Sequence, residues 1–199
     1  MSKYVITISR QFGSMGRTIA SETAKLLEIE YLDRDIVEAT ASRMGKTVKQ
    51  ISEAEENTGF FLLRKKYPFN MGIYSITDEI FAVQKNIIRD IAAKQSCIIV
   101  GRCADSILSD FENHLNVYIY APYEVRLYNC THDLMMDEKT AKKMIKDVDD
   151  ARTNYQRKYC PEVKSVFDHK DIMIDSSKFG IEGTARLLAG IVKEKWKEN

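Results

Sequence analysis

Proline is scarce in this chain, at three residues, and glycine is held to nine. That excludes collagen, elastic linkers and a small loop-dominated fold. A surplus of one charge sign is missing too: 30 Lys and Arg face 29 Asp and Glu, for a formal net charge of +1. A dedicated nucleic-acid binder carries a clear basic excess, so no nucleic-acid partner is expected. The cysteines at 97, 103, 130 and 160 form no C-x-x-C, which excludes a zinc ribbon or a thioredoxin-type redox pair. His114, His132 and His169 share no metal-ligand spacing, and neither G-x-S-x-G nor a Cys/His pairing for hydrolase chemistry is written here. The opening Met-Ser-Lys-Tyr-Val runs straight into a strand-like segment, without the apolar stretch of a signal peptide, and no later stretch suits a bilayer span. The expectation is a cytoplasmic, reducing compartment, cysteines as thiols and no membrane partner.

What is present is material for a core. Hydrophobic residues make up 44% of 199 positions, which suits one domain, or one with a modest insertion. Residues 4–9, Tyr-Val-Ile-Thr-Ile-Ser, read as a strand buried on both faces. Ile19, Ala20, Thr23, Leu26 and Leu27 set a helix near 17–28. A short extended piece, Tyr31-Leu32-Asp33, leads to a helix near 34–44 that Gly45 ends. Thr47 with Gln50 reads as a capping box for a third short helix. Residues 57–72 look irregular, and 45–72 is the candidate flap or insertion. A helix near 75–94 follows, capped by Ser75 and Asp78, with Ile76, Ile80, Val83, Ile87 and Ile91 as its apolar face. Further strands are predicted at 97–100, 116–120 and 171–175, and helices near 104–110, 123–134, 137–159 and 181–196. Strands alternating with helices imply a parallel sheet covered on both faces.

The chemistry concentrates in the turn after the first strand, Arg10-Gln11-Phe12-Gly13-Ser14-Met15-Gly16-Arg17-Thr18. A helix N-terminus offers unpaired N–H groups and partial positive charge, and glycines let several amides face one anion. Thr18, at the helix start, supplies a hydroxyl of the kind that ligates Mg²⁺. Against the phosphate-loop pattern G-x-x-x-x-G-K-[ST], Gln11 replaces the first glycine and Arg17 the lysine. Arg10 and Arg17 flank the glycines with charge; the bland alternative is a tight turn whose glycines only permit close packing. Arg102 follows the next buried strand, where an α/β sheet places ligands, or else pairs with a surface carboxylate. Asp33 suits a Mg²⁺ water, a substrate proton, Arg102 or a helix N-cap. Arg152 and Arg157 lie on a charged helix, which can neutralise a transferring phosphoryl group or simply be solvated through i,i+4 ion pairs. The aromatic-basic run Phe60 to Phe69 can stack a base, but suits packing beneath a flap or at a homo-oligomeric contact.

These segments together resemble one family. Ile8-Ser9-Arg10-Gln11-Phe12-Gly13-Ser14-x-Gly16-Arg17-x-Ile19-Ala20, Tyr31-x-Asp33-Arg34, Val100-Gly101-Arg102, Tyr120-Ala121-Pro122-x-Glu124-x-Arg126, Asp150-Ala151-Arg152-x-x-Tyr155 and Asp171-x-x-Ile174-Asp175-Ser176 look like the cytidylate kinase-like family, within the P-loop nucleoside monophosphate kinases. The resemblance runs in matching order over nearly the whole chain. It implies an α/β, three-layer α/β/α P-loop NTPase fold with a five-stranded parallel sheet and helical NMP-binding and LID regions, the latter at 135–160, in one domain over 1–199. It implies that Gly13, Ser14, Gly16, Arg17 and Thr18 cradle the phosphates of ATP; Arg10 and Met15 of the same turn are expected to join them, and Thr18 to hold Mg²⁺. It implies that Asp33, Arg34 and Arg102 meet the acceptor and that Arg152 and Arg157 are LID arginines. Cytidylate kinases carry the loop lysine and read Asp-Gly-Arg-Asp where this chain has Val100-Gly101-Arg102-Cys103. The expected activity is ATP-dependent phosphoryl transfer to a nucleoside monophosphate or similar small molecule, with Arg17, Asp33 and Arg152 catalytic. The alternative is a non-catalytic nucleotide- or phosphate-binding regulator.

Overall fold

The computed structural model describes residues 3–61 and 71–197, with side chains given outside 55–61 and 71–75. Five strands form one parallel sheet: β1 (Val5–Arg10), β2 (Glu30–Leu32), β3 (Cys97–Val100), β4 (His114–Tyr120) and β5 (Ile172–Asp175), in the order β2-β3-β1-β4-β5. The helices are α1 (Gly16–Leu27), α2 (Arg34–Met44), α3 (Val48–Phe61), α4 (Met71–Lys94), α5 (Ala104–Ile107), α6 (Tyr123–His132), α7 (Glu138–Tyr159) and α8 (Gly180–Lys195).

Side-chain alternation along β1 divides the core in two. Ile6 and Ile8 face α1 and α8, joining Ile19, Ala20, Leu188 and Val192. Val5 faces the other way, with Leu32, Ile36, Ile87, Ile88 and Ile99 under α2 and α4. Buried on both faces, the strands read as continuous apolar runs, the signature of a parallel sheet under two helical layers. Registers such as Ile8 with Val100 and Leu32 with Ile99 bring the carboxyl ends of β1, β2 and β3 to one edge. Arg10, Asp33 and the Gly101–Arg102 turn all start there.

Several helix limits were legible. Thr47 and Gln50 cap α3 reciprocally, the Gln50 Oε1 accepting from Thr47 N at 2.9 Å and the Thr47 hydroxyl accepting from Gln50 N at 3.2 Å. Gly45 adopts φ +61°, the left-handed turn that ends α2. Two readings are corrected. The stretch 57–72 is helical at both ends, since α3 runs to Phe61 and α4 begins at Met71, before Ser75 and Asp78; 62–70 lie outside the described residues. The apolar face of α4 is also rotated: Ile76 is 39% exposed, while Thr77, Ile80, Gln84, Ile87 and Ile88 are buried. Two polar residues, Thr77 and Gln84, sit on the inner face, and an apolarity count passes over them. All four cysteines are buried free thiols. Among the described residues, no helix is long and apolar enough to cross a membrane.

Candidate functional site

The turn from β1 into α1 is held from several sides. Gln11 stands where the phosphate-loop pattern has glycine, and its side chain ties β1 to β4 by accepting from Ala121 N at 3.2 Å. Ser14 donates to Gln11 O at 2.9 Å, and Ser176 donates to Ser14 O at 2.9 Å. Asn129, on α6, donates to Gly13 O at 2.8 Å. Gly13 has φ +78°, and a Cβ there would lie 2.8 Å from Arg126 O and 2.9 Å from the Cys130 sulfur, so only glycine fits. Met15 is left-handed as well, at φ 59°. Among the described residues, the backbone N–H groups of Gly13, Met15, Gly16, Arg17 and Thr18 have no hydrogen-bond partner. A loop pinned from outside, with five amides unspent, has the donors an anion needs. Thr18 is exposed on the first turn of α1.

Arg10 runs beneath this loop. A Cβ on Gly16 would stand 2.7 Å from Arg10 Cβ, and one on Gly101 would collide with its guanidinium. The Arg10 Nε is buried without a hydrogen-bond partner. Burial pushes Arg10 down to about 9 from 12.5, Arg152 adds to that, Asp33 opposes it, and Arg17 and Arg102 push the same way. The group stays cationic at neutral pH and has, among the described residues, no salt-bridge partner. A half-buried cation without a counter-charge and ringed by like charge is costly unless an anion joins it.

Asp33 is 10% exposed and takes Arg17 Nε at 2.8 Å. Tyr31 donates its hydroxyl to the same carboxylate at 3.4 Å. Burial first, and Asp33 next, raise the Tyr31 phenol. Asp33 precedes α2, but its side chain makes no capping hydrogen bond; of the roles open in the sequence, the carboxylate faces the loop instead. Gly101, Arg102 and Cys103 carry φ of 76°, 57° and 54°, a run of left-handed residues at the end of β3. Non-glycine residues there are strained, and such strain gathers at functional sites. The turn brings the Arg102 guanidinium 3.3 Å from Asp33 O, to which it donates.

Arg152 reaches the same edge from α7 and donates to Arg10 O at 3.0 Å. Burial lowers it, partly offset by Asp149. Arg10, Arg17, Arg102 and Arg152 thus converge on the edge where Asp33 lies, Arg17 on its carboxylate and Arg102 on its backbone oxygen. Two expected members stand elsewhere. Arg34 is 80% exposed, 3.8 Å from Glu38 one turn along α2. Arg157 is exposed: five residues from Arg152, it falls on another side of α7.

Sequence reasoning missed the residues that hold the loop. Asp149 accepts from Phe12 N at 2.8 Å and pairs with Arg126 at 2.5 Å. The signal was periodicity: Ala141 and Ile145 are the buried residues of α7, and Asp149 and Arg152 continue their stripe. Polar residues that prolong an apolar stripe face the protein, whereas Lys146 and Asp150 form the solvated i,i+4 pair that the charge pattern suggested. Among the described residues, no group of three His, Cys, Asp or Glu could hold a metal ion.

A parallel sheet in the order 2-3-1-4-5, flanked by helices, with a loop of free amides after its central strand, defines a P-loop kinase fold. The family model described as the cytidylate kinase-like family matches residues 5–178, and the chain belongs to that family. Among solved structures, an uncharacterized protein from Eubacterium ventriosum ATCC 27560 superposes with a TM-score of 0.71 at 24% identity, covering 96% of this chain and 99% of that one. Shikimate kinase from Acinetobacter baumannii, in complex with shikimate, gives 0.53 at 12% identity, covering 99% and 97%. Shikimate kinase from Bacteroides thetaiotaomicron gives 0.55 at 11%, covering 96% and 99%. No curated protein matches the chain.

Proposed function

We propose that this protein transfers the γ-phosphoryl group of ATP to a small phosphorylated acceptor, a nucleoside monophosphate or a close analogue. The observation that carries the reading is Arg10, a half-buried cation with a buried, unsatisfied Nε and, among the described residues, no salt bridge, beside five unpartnered loop amides. Phosphoryl transfer asks little covalent help of a protein; it needs the reactants in line and the spreading charge neutralised. In this reading the amides of Gly13 to Thr18 hold the β- and γ-phosphates. Arg10 lies between that loop and the Gly101–Arg102 turn and meets oxygens on the transferring group. Arg102 anchors the acceptor's phosphate from the β3 side. Arg152, fixed to the last carbonyl of β1, is a standing wall of positive charge rather than an arm that swings in.

A phosphate acceptor is ionised at neutral pH, so its oxygen attacks without a general base. Asp33 then orients Arg17 instead of taking a proton. Mg²⁺ entering with ATP would offset the charge of the phosphates. Thr18, exposed on the first turn of α1, would hold it through its hydroxyl.

One observation favours a second reading, a nucleotide-binding regulator without turnover. Arg17, in the lysine's position, is engaged with Asp33 at 2.8 Å. A single experiment separates the two: thermal shifts with ATP and a panel of nucleoside monophosphates, then transfer from γ-labelled ATP to each acceptor. Label in a diphosphate product is expected. Stabilisation by ATP with no transfer to any acceptor selects the regulator, and no stabilisation by any nucleotide overturns both.

A further inference from the structure

We propose that Asp149 is a positioning residue that sets the phosphate loop from α7; the inference rests on the reading of that loop as the ATP site. The carboxylate accepts from Phe12 N at 2.8 Å through one oxygen and from Arg126 Nη1 at 2.5 Å through the other. The same Arg126 nitrogen donates to Phe12 O at 3.3 Å. Both polar groups of Phe12 are therefore gripped, the N–H by Asp149 and the C=O by the arginine that Asp149 holds. Gly13 follows directly, with its left-handed φ and the Arg126 backbone packed against it. The orientation of the Phe12 peptide fixes where the chain enters the turn, and hence where the free amides of Gly13 and of Met15 to Thr18 stand. Arg152 lies 3.6 Å from the same carboxylate. One aspartate thus links the loop, α6 and α7, and ties the position of Arg152 to the shape of the loop.

A merely structural tie would hold α7 to the body of the protein and affect all properties alike. A positioning role acts on the polyphosphate first. The test measures ATP and inorganic tripolyphosphate binding by calorimetry, at fixed ionic strength, on the full chain and on Asp149→Asn and Asp149→Glu. The asparagine keeps an oxygen for Phe12 N–H but loses the charge that grips Arg126. Binding of both probes is expected to weaken about tenfold, the order of one charge-assisted hydrogen bond. The ligand-free melting temperature should fall too, because Arg126, 11% exposed, loses its counter-charge, so binding is compared at a temperature where both proteins are fully folded. The glutamate restores the charge and should recover part of the lost affinity. If the unaltered protein binds ATP and the asparagine variant binds it equally well, the inference is overturned and the proposed function stands. If the weakening disappears at a temperature where both proteins are fully folded, the role is structural and the inference again fails. If the unaltered protein binds neither probe, the proposed function falls and takes this inference with it.

Discussion

Two groups of charge occupy opposite situations in this molecule. Lys170, just before β5, is paired with Asp105 of α5, and their side chains are 2% and 3% exposed. The ammonium also donates to Asp168 O. That site is closed, since each charge has its opposite and no water is needed. At the carboxyl ends of β1 to β3, by contrast, Arg10, Arg17, Arg102 and Arg152 gather near Asp33, with Asp149 beside Arg152, and Arg10 has an unsatisfied Nε and, among the described residues, no salt bridge. A closed pair contributes to structure, whereas a surplus of one sign in a crevice is unfavourable until a ligand of the other sign arrives.

The contrast breaks first at the closed pair. Lys170→Met leaves the Asp105 carboxylate buried and uncompensated, and should cost about 3–5 kcal/mol of stability in urea denaturation. Adding Asp105→Leu should return much of that, because an apolar pair of similar volume replaces the ionic one. A loss below about 1 kcal/mol in the single variant would mean that the pair is hydrated rather than closed.

In the crevice the same kind of deletion should behave in the opposite way. Arg10→Met keeps the apolar stem beneath Gly16 and removes only the cation. Ligand-free stability should change by no more than about 1 kcal/mol, while tripolyphosphate affinity falls at least about tenfold. If Arg10→Met unfolds the protein as readily as Lys170→Met, the two groups are alike and the arginines are structural.

Arg17→Ala sharpens the comparison within the crevice. Its side chain is 65% exposed, so its pair with Asp33 contributes little to the fold, and stability should move by less than about 1 kcal/mol. ATP-dependent turnover should fall strongly if Arg17 meets phosphate. Unchanged turnover would leave Arg17 as a surface partner of Asp33.

These differences also explain what was legible in the sequence. Local rules were enough for the elements: apolar runs for β1 and β3, a capping box for α3, a glycine at the end of α2. The placement of the loop glycines, Arg10 and Arg102 at one sheet edge was recoverable because each stands at or just after a strand end. Asp149 was not, because its role depends on Phe12 and Arg126, far away in the chain and brought together only by the packing of α6 and α7. The charged run of α7 contains two populations, Lys146 with Asp150 outside and Asp149 with Arg152 inside, and charge counting merges them. Arg34 and Arg157 stand away from the crevice for a complementary reason. Arg34 follows Asp33 directly and Arg157 lies five residues beyond Arg152, and helix geometry turns both aside.

The smallest expected effect is also the one that isolates Arg10. Its folded value, about 9, lies below the ordinary 12.5. Between those values the unfolded chain holds a proton that the folded protein has released, so the stability contributed by this group rises as pH climbs through 9. Anion binding must run the other way, because deprotonation removes the cation the phosphate meets. A bound polyphosphate favours the charged form and moves the release to higher pH. The Arg10-dependent part of tripolyphosphate affinity, read by calorimetry as the difference from Arg10→Met, should therefore be flat below about pH 8 and decline above about 9. In Arg10→Met the component due to this group should vanish from both the affinity and the stability curves. The two opposite slopes belong to a cation held in readiness for an anion. If affinity and stability declined together, the change would instead be a general loss of structure in alkali.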